Sequence, residues 1–336
     1  MTEPVRPNVF VSRSLPEPGI GPLLDAGLDV TYRQVDSAPT RDELLAGVAS
    51  ADALLCMLTE RIDAELLDAA PSLRIVANLA VGFDNVDVPA ATERGVLVTT
   101  TPDVLTEATA DLAWALILAA ARRVAEADRF ARSGEWTAWS GLALLGAPVA
   151  GRTLGIVGLG AIGTAVARRA RGFDMPVLYT NRHRNLEAER ALAAAGGPAP
   201  ELVALDELLA RSDIVSLHAP LNDDSRHLID AAALARMKPT AILINTARGP
   251  LVDEPALVVA LRDGVIAAAG LDVFEHEPAL APGLADLPNT VLLPHIGSAT
   301  RDTRAAMVRL CSENIVAVLA GRPPLTARNP EVAGRA

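Results

Sequence analysis

Residues 152–184 read RTLGIVGLGAIGTAVARRARGFDMPVLYTNRHR. The stretch opens on a short apolar run, Leu154-Gly155-Ile156-Val157, of the kind that forms a buried strand. Gly158, Gly160 and Gly163 follow at G-x-G-x-x-G spacing, residues 164–171 repeat Ala and Arg at helical spacing, and Val177-Leu178-Tyr179 is a second buried strand. A glycine pattern alone says little; between strand, helix and strand it is the signature of a dinucleotide-binding turn. Gly158 allows the tight turn out of the strand. Gly160 removes a side chain where the backbone must approach a pyrophosphate, and Gly163 lets helix and strand pack closely. The helix start then aims free N–H groups and a positive dipole end at the phosphates.

The end of the second strand bears on which dinucleotide is bound. NAD-binding turns usually carry Asp or Glu there, about 20 residues on, to bond the ribose 2′-hydroxyl. This strand ends Thr180-Asn181-Arg182-His183-Arg184, without a carboxylate. Asn181 cannot repel a 2′-phosphate, and Arg182 and Arg184 can pair with one through planar, bidentate donors. The expected cofactor is therefore NADP, with NAD possible.

At 336 residues the chain is too long for one core, and about two domains are expected. Half the residues are apolar and only 3% aromatic, which suits Ala-, Val- and Leu-rich parallel strands covered by helices. A net charge of −11 argues against a nucleic-acid partner, and means that an anionic substrate must be captured by local cations. Cys56 and Cys311 lie far apart without metal-ligand spacing, and read as reduced thiols of a cytoplasmic protein. The start of the chain lacks the apolar core of a signal peptide. The longest apolar run, 112–121, is too short to span a bilayer, so no membrane partner is expected.

Before the glycine turn, strands are expected at 8–11, 29–33, 53–58 and 74–79, and helices at 19–26, 40–48 and 63–69. Thr40 with Glu43 three residues on makes a capping box. This alternation is a parallel α/β unit in its own right. Ala80-Val81-Gly82-Phe83 follows the last of these strands, where the bare N–H groups of Val81 and Gly82 could hold a carboxylate. Residues 107–132 form the longest helical pattern, so apolar that it should be buried between domains or in a subunit interface. Trp136 and Trp139 follow on the connection to the cofactor strand, as packing anchors or as a dimer contact. Beyond the turn, strands are expected at 214–218, 241–245, 267–271 and 291–293, helices at 205–210, 255–262 and 303–320, and the ordered part should end at Asn329-Pro330. The strands end in polar residues that would face a nicotinamide: His218-Ala219-Pro220, Thr246-Ala247-Arg248, Asp272 and Pro294-His295.

Reducing a carbonyl beside a carboxylate needs a cation to hold the acid and polarise the carbonyl, and an acid to protonate the alkoxide. Arg248 is the candidate cation, since its guanidinium matches a carboxylate bidentately and stays charged. His295 is the candidate acid/base, because imidazole titrates near operating pH. Glu277 is its candidate partner carboxylate. Spacing alone separates neither Glu277 from Glu275 nor His295 from His276. No metal is expected, because no His/Cys/Asp cluster has ligand spacing.

Together these motifs resemble the D-isomer-specific 2-hydroxyacid dehydrogenase family, in particular its glyoxylate/hydroxypyruvate reductase branch. The resemblance spans nearly the whole chain and is carried by NLAVGFDNVD (78–87), TPDVLTEATADLAWALILAAARR (101–123), GLGAIG (158–163), INTARGPLVDE (244–254), AGLDVFEHEP (269–278) and LLPHIGSAT (292–300). It implies two doubly wound parallel-sheet domains with the active site in the cleft between them. A Rossmann cofactor domain, 101–295, would be inserted in a flavodoxin-like substrate domain, 1–100 plus 296–336. It also implies that Arg248, Glu277 and His295 form the catalytic triad, and that Val81 and Gly82 bind the substrate carboxylate, with Leu58 and Trp139 also at the substrate. Cofactor contacts would be Thr109, Gly160, Ala161, Ile162, Arg182, the loop His218-Ala219-Pro220, Thr246, Ala247, Arg248, Asp272 (on the carboxamide), His295 and Gly297. Homodimers through the cofactor domain are implied, with a partner tryptophan, Trp139, at the substrate pocket. His276 departs from the Pro often found there, and Asn181 replaces the acidic residue of NAD-preferring members.

The expected reaction is NAD(P)H-dependent reduction of glyoxylate or hydroxypyruvate to glycolate or D-glycerate. The competing readings are another D-2-hydroxyacid, phosphite or formate dehydrogenase of the same family, and a nucleotide-sensing corepressor that binds cofactor without turnover.

Overall fold

The computed structural model describes residues 6–194, 196 and 199–333. The chain divides into two compact units: the residues up to Leu105 together with those from Ser298 on, and Thr106–Gly297.

In the first unit, strands β1 (Asn8–Val11), β2 (Asp29–Tyr32), β3 (Ala53–Cys56), β4 (Ile75–Asn78) and β5 (Leu97–Thr99) alternate with helices α1 (Gly21–Asp25), α2 (Arg41–Val48), α3 (Ala64–Asp68) and α4 (Val88–Glu93). Every pairing is parallel, in the order β2-β1-β3-β4-β5, which is the flavodoxin-like order. β3 and β4 are buried along their whole length, as central strands covered on both faces must be. Thr40 and Glu43 form the capping box their spacing predicts. α4 and β5 were not anticipated: six and three residues are too few to establish a period. The C-terminal helix Arg301–Leu319 packs on β4. Order does not end at Asn329-Pro330. Asn329 is buried, accepting the Val98 N–H at 2.8 Å and donating to the Val96 carbonyl at 2.9 Å, and the helical turn Pro330–Val332 buries Val332.

The second unit begins with a correction. The single helix expected over 107–132 is two, α5 (Thr106–Ala121) and α6 (Val124–Ser133), because Arg123 takes a left-handed backbone and clasps Glu126 with both arms of its guanidinium. α5 is the buried one: Trp114 donates to the Val166 carbonyl at 3.0 Å and stacks on Phe173. α6 buries none of its residues. Strands β6 (Leu154–Val157), β7 (Val177–Thr180), β8 (Glu201–Leu202), β9 (Ile214–Leu217), β10 (Ile242–Asn245), β11 (Ala268–Leu271) and β12 (Thr290–Leu292) form one parallel sheet. Helices α7 (Ala161–Ala170), α8 (Leu186–Ala194), α9 (Leu205–Arg211), α10 (Ala231–Arg236) and α11 (Glu254–Arg262) connect them. The order β12-β11-β10-β9-β6-β7-β8 is the doubly wound arrangement, whose switch point between β6 and β9 opens a crevice at the strands' carboxyl ends. β8, α8 and α10 are additions to the expected set.

Candidate active site

Three loops at the carboxyl ends of β10, β11 and β12 bring the candidate residues of the second unit together. After β10, the Asn245 side chain clips the turn, accepting from the Ala247 N–H at 3.0 Å and donating to the Arg248 carbonyl at 2.8 Å. Arg248 leaves this clip half-buried. Gly249 then meets the loop after β11 so closely that a Cβ would lie 1.9 Å from the Phe274 carbonyl carbon. Only glycine fits, and through that contact the loop bearing Arg248 rests on the loop bearing Glu277.

Glu277 sits in a tight turn closed by the pairing of His276 with Ala279. One carboxylate oxygen accepts the Phe274 N–H at 3.0 Å, and the other stands 2.9 Å from His295 Nδ1. Burial works to raise the Glu277 carboxyl, but the hydrogen bond and charge of His295, the Phe274 N–H and the Arg248 charge outweigh it and hold the group below its ordinary value. Glu275 turns elsewhere, its carboxylate lying 2.6 Å from His227 Nε2. The two glutamates that spacing left open thus separate by loop conformation. His276 is exposed.

His295 has a left-handed backbone, φ 54°, and Asp272 holds it there. The Asp272 carbonyl accepts the His295 N–H at 2.8 Å, while its carboxylate accepts the N–H groups of Ile296 and Gly297 at 2.7 and 2.8 Å. Asp272 is 1% exposed, and burial pushes its carboxyl up despite those donors and the nearby His295 charge. Thr109 donates to the Gly297 carbonyl at 3.3 Å. With Nδ1 on Glu277, Nε2 of His295 has no hydrogen-bond partner among the described residues. That is the arrangement a general acid requires.

The glycine turn sits at the switch point. Gly158 has φ 100°, and a Cβ there would meet the backbone of His218 and Ala219 at 2.7 Å. A Cβ on Gly163 would lie 2.2 Å from the Gly158 carbonyl oxygen, whereas at Gly160 it would meet nothing. No side chain caps α7, so the N–H groups of Ala161 and Ile162 face outward without intrahelical acceptors. Asn181 accepts the Leu159 N–H at 2.6 Å, which fixes the turn from the end of β7. The two arginines expected at a 2′-phosphate differ: Arg184 is committed to Glu189 through both Nε and a terminal nitrogen at 2.9 Å, while Arg182 meets, among the described residues, only the exposed Asp224 at 3.1 Å. The Thr246 hydroxyl is buried without a partner among the described residues. Burial pushes the His218 imidazole down to about 4, and its Nε2 lies 2.8 Å from Ser216 Oγ. An open glycine, an uncapped helix start and an orphaned hydroxyl at one set of strand ends fit a dinucleotide.

In the first unit, the N–H groups of Val81 and Gly82 have no acceptor among the described residues. Asn78 donates to the Gly82 carbonyl at 2.9 Å, and Asn85 donates to the carbonyls of Met57 and Glu60 at 3.2 and 2.9 Å, so the loops after β3 and β4 brace each other. Leu58 lies half-buried in the first of them. These asparagines escaped the sequence reading, although Asn78, a polar end to an apolar strand, was a visible signal. Trp136 and Trp139 are not packing anchors within this chain, being 62% and 85% exposed.

The family model for the NAD-binding domain of D-isomer-specific 2-hydroxyacid dehydrogenases matches residues 114–297. Glyoxylate reductase from Thermococcus onnurineus is 52% identical over 332 residues, 98% of this chain and 97% of that protein. Among solved structures, a glyoxylate reductase from Paecilomyes thermophila superposes with a TM-score of 0.85 at 35% identity, covering 97% of this chain and 99% of that one. An NADPH-dependent glyoxylate/hydroxypyruvate reductase from Sinorhizobium meliloti, in complex with NADP and malonate, does so with a TM-score of 0.82 at 34% identity, covering 97% and 98%.

Proposed function

The chain belongs to the D-isomer-specific 2-hydroxyacid dehydrogenase family, and from that premise we propose that it reduces small 2-oxo acids, glyoxylate and hydroxypyruvate foremost, to the 2-hydroxy acids glycolate and D-glycerate. The observation that carries the reading is the His295 imidazole held by Glu277 through Nδ1 with Nε2 open, on loops packed against the one that bears Arg248. When bound, a reduced nicotinamide dinucleotide supplies the hydride to the 2-oxo carbon. The residues that would hold it are the glycine turn with Ala161 and Ile162 at the pyrophosphate, Arg182 at the ribose, and the loops at His218, Thr246 and Asp272 around the nicotinamide.

In this reading Arg248 grips the substrate carboxylate and draws electron density toward the 2-oxo oxygen. The Val81 and Gly82 N–H groups donate to the substrate carboxylate. His295 delivers its proton from Nε2 to the alkoxide oxygen as the C–H bond forms, and Glu277 stabilises the imidazolium and fixes the ring. The residues up to Leu105 with those from Ser298 on act as the substrate unit, and Thr106–Gly297 as the cofactor unit. Arg182 makes NADPH the preferred reductant, since among the described residues its partner is a solvent-exposed Asp224 that a 2′-phosphate can replace. Two copies pair through the cofactor unit.

Initial rates with glyoxylate, hydroxypyruvate and pyruvate, each against NADPH and NADH, test the reading. It predicts turnover of the first two acids, faster with NADPH. Tight dinucleotide binding with no turnover of any acid would replace it with a sensing role, and turnover of formate or phosphite alone with a different dehydrogenase.

A further inference from the structure

Glu254, the first residue of α11, is 3% exposed. Acids at this helix position ordinarily serve the helix start, but Asp253 already caps it, accepting the Ala256 N–H at 3.0 Å. Glu254 points away instead. It accepts the Glu275 N–H at 2.7 Å, and its carboxylate also feels the backbone N–H of Ala281, which works to lower it. Glu254 thus grips the loop at Glu275 and faces it again at Ala281, with Glu277 between the two. A second brace acts on the same residue: the Glu275 carboxylate meets His227 Nε2 at 2.6 Å, and the His227 N–H donates to the Pro250 carbonyl at 2.8 Å. Gly249, directly beneath Phe274 and Glu275, leaves no slack in the third direction. The loop is thereby pinned to the segment that carries Arg248.

We propose that Glu254 is a positioning residue for the reaction, holding both ends of the 275–281 loop so that Glu277 stays within hydrogen-bond reach of His295. It touches neither substrate nor cofactor in this account. A buried carboxylate is costly unless it is well bonded, and the bonds this one makes outside its own helix go to the loop. Glu277 reaches His295 from a turn of four residues, so freeing the turn's two ends releases the catalytic carboxylate. The proposal rests on the reading of Glu277 as the support of His295, and its test must tell the two apart.

The experiment compares Glu254→Ala, Glu254→Asp, Glu254→Gln and Glu277→Gln with the double variant Glu254→Ala/Glu277→Gln, using the full-length protein with glyoxylate and NADPH. Glu254→Ala should lower kcat by roughly tenfold to a hundredfold, the scale of a misplacement of about 1 Å, while the KM for NADPH stays within about twofold. Its kcat/KM–pH profile should come to match that of Glu277→Gln rather than that of the wild type, because both variants free the imidazole of His295 from the same support. Glu254→Gln keeps an acceptor oxygen at the same reach and should restore most of the activity. In the Glu277→Gln background, Glu254→Ala should change kcat by less than about twofold, since the two act through one contact. Should Glu254→Ala fail to fold, Glu254→Asp carries the test, because it keeps the charge and withdraws the acceptor. A folded Glu254→Ala or Glu254→Asp with wild-type kcat and pH profile, beside a damaged Glu277→Gln, overturns the positioning role alone. An undamaged Glu277→Gln overturns the underlying reading as well.

Discussion

At the scale of single residues, the guanidinium of Arg248 and the imidazole of His295 could be found without coordinates because each follows an apolar strand, where a polar side chain has no packing reason to be. The choice between Glu275 and Glu277 could not be made from spacing. It depends on a turn that sends one carboxylate to His227 and the other to His295, and backbone conformation of that kind leaves no period to read. Replacing Arg248 by Ala should lower kcat/KM by a factor of hundreds or more, as loss of a preorganised charge does. Arg248→Lys should recover only part of it, since an ammonium cannot grip a carboxylate with two parallel bonds. A rate within a few-fold of wild type for Arg248→Ala would remove that residue from the chemistry. His218 gives a different kind of prediction. Its folded-state value of about 4 lies below the ordinary 6.5, so between those limits the unfolded chain binds the extra proton. Stability is therefore full above about pH 6.5 and falls as the pH drops toward 4. The displacement bounds the loss at roughly 3 kcal/mol, and partial exposure of the residue reduces that to roughly 2 kcal/mol. Thermal unfolding followed between pH 7 and pH 4 should show a shallower decline for His218→Asn than for wild type; parallel curves would mean that this imidazole is not what the acid titrates.

Elements were legible where an apolar run or a capping pattern marked them. The central parallel strands read as unbroken apolar runs because both faces are covered, and the β6–α7–β7 unit could be placed to within a few residues. The short pieces α4, β5, β8 and α10 were missed, as were the nine-residue α8 and the break at Arg123, where a left-handed residue interrupts a pattern that stays helical on either side. The glycine turn shows how finely a sequence motif can be divided once geometry is known. Gly163 is a packing requirement, with the Gly158 carbonyl 2.2 Å from the place of its missing Cβ, while the same position on Gly160 is open. The two alanine variants should therefore fail differently. Gly163→Ala should lower the unfolding midpoint by about 5–10 °C, the consequence of overpacking by about 2–3 kcal/mol. Gly160→Ala should lower it by no more than about 2–4 °C, the effect of a poorer helix cap. It should nevertheless weaken NADPH binding about tenfold or more, because a methyl group then stands where the pyrophosphate must come. Calorimetry and fluorescence titration of the two proteins separate these outcomes, and a Gly160→Ala variant that binds NADPH normally would move the pyrophosphate away from this turn.

For the whole molecule, composition was informative about what the chain avoids more than about what it joins. In the proposed reading a charge of −11 leaves substrate capture to a few local donors, such as the Val81 and Gly82 N–H groups, which have no acceptor among the described residues, and the half-buried Arg248. Association was harder to read, because two tryptophans on a loop serve packing and partners equally well in a sequence. Their exposure within one chain shifts the balance: Trp136, Trp139, Leu142 and Leu145 are 62%, 85%, 83% and 64% exposed on a single connection, and α6, beside it in the chain, buries nothing of its own. An apolar patch of this kind marks a protein–protein surface, and a second copy of the chain is the partner that the proposed reading calls for. Sedimentation should accordingly give twice the chain mass of 35.0 kDa, and Leu142→Asp with Trp139→Ser should give single chains. If Trp139 also reaches the partner's substrate, Trp139→Phe should leave the dimer intact and change KM for hydroxypyruvate more than KM for glyoxylate, because the larger acid extends further from Arg248. Equal effects on the two acids would confine the tryptophan to association, and a wild-type protein sedimenting as single chains would dismiss the pairing itself.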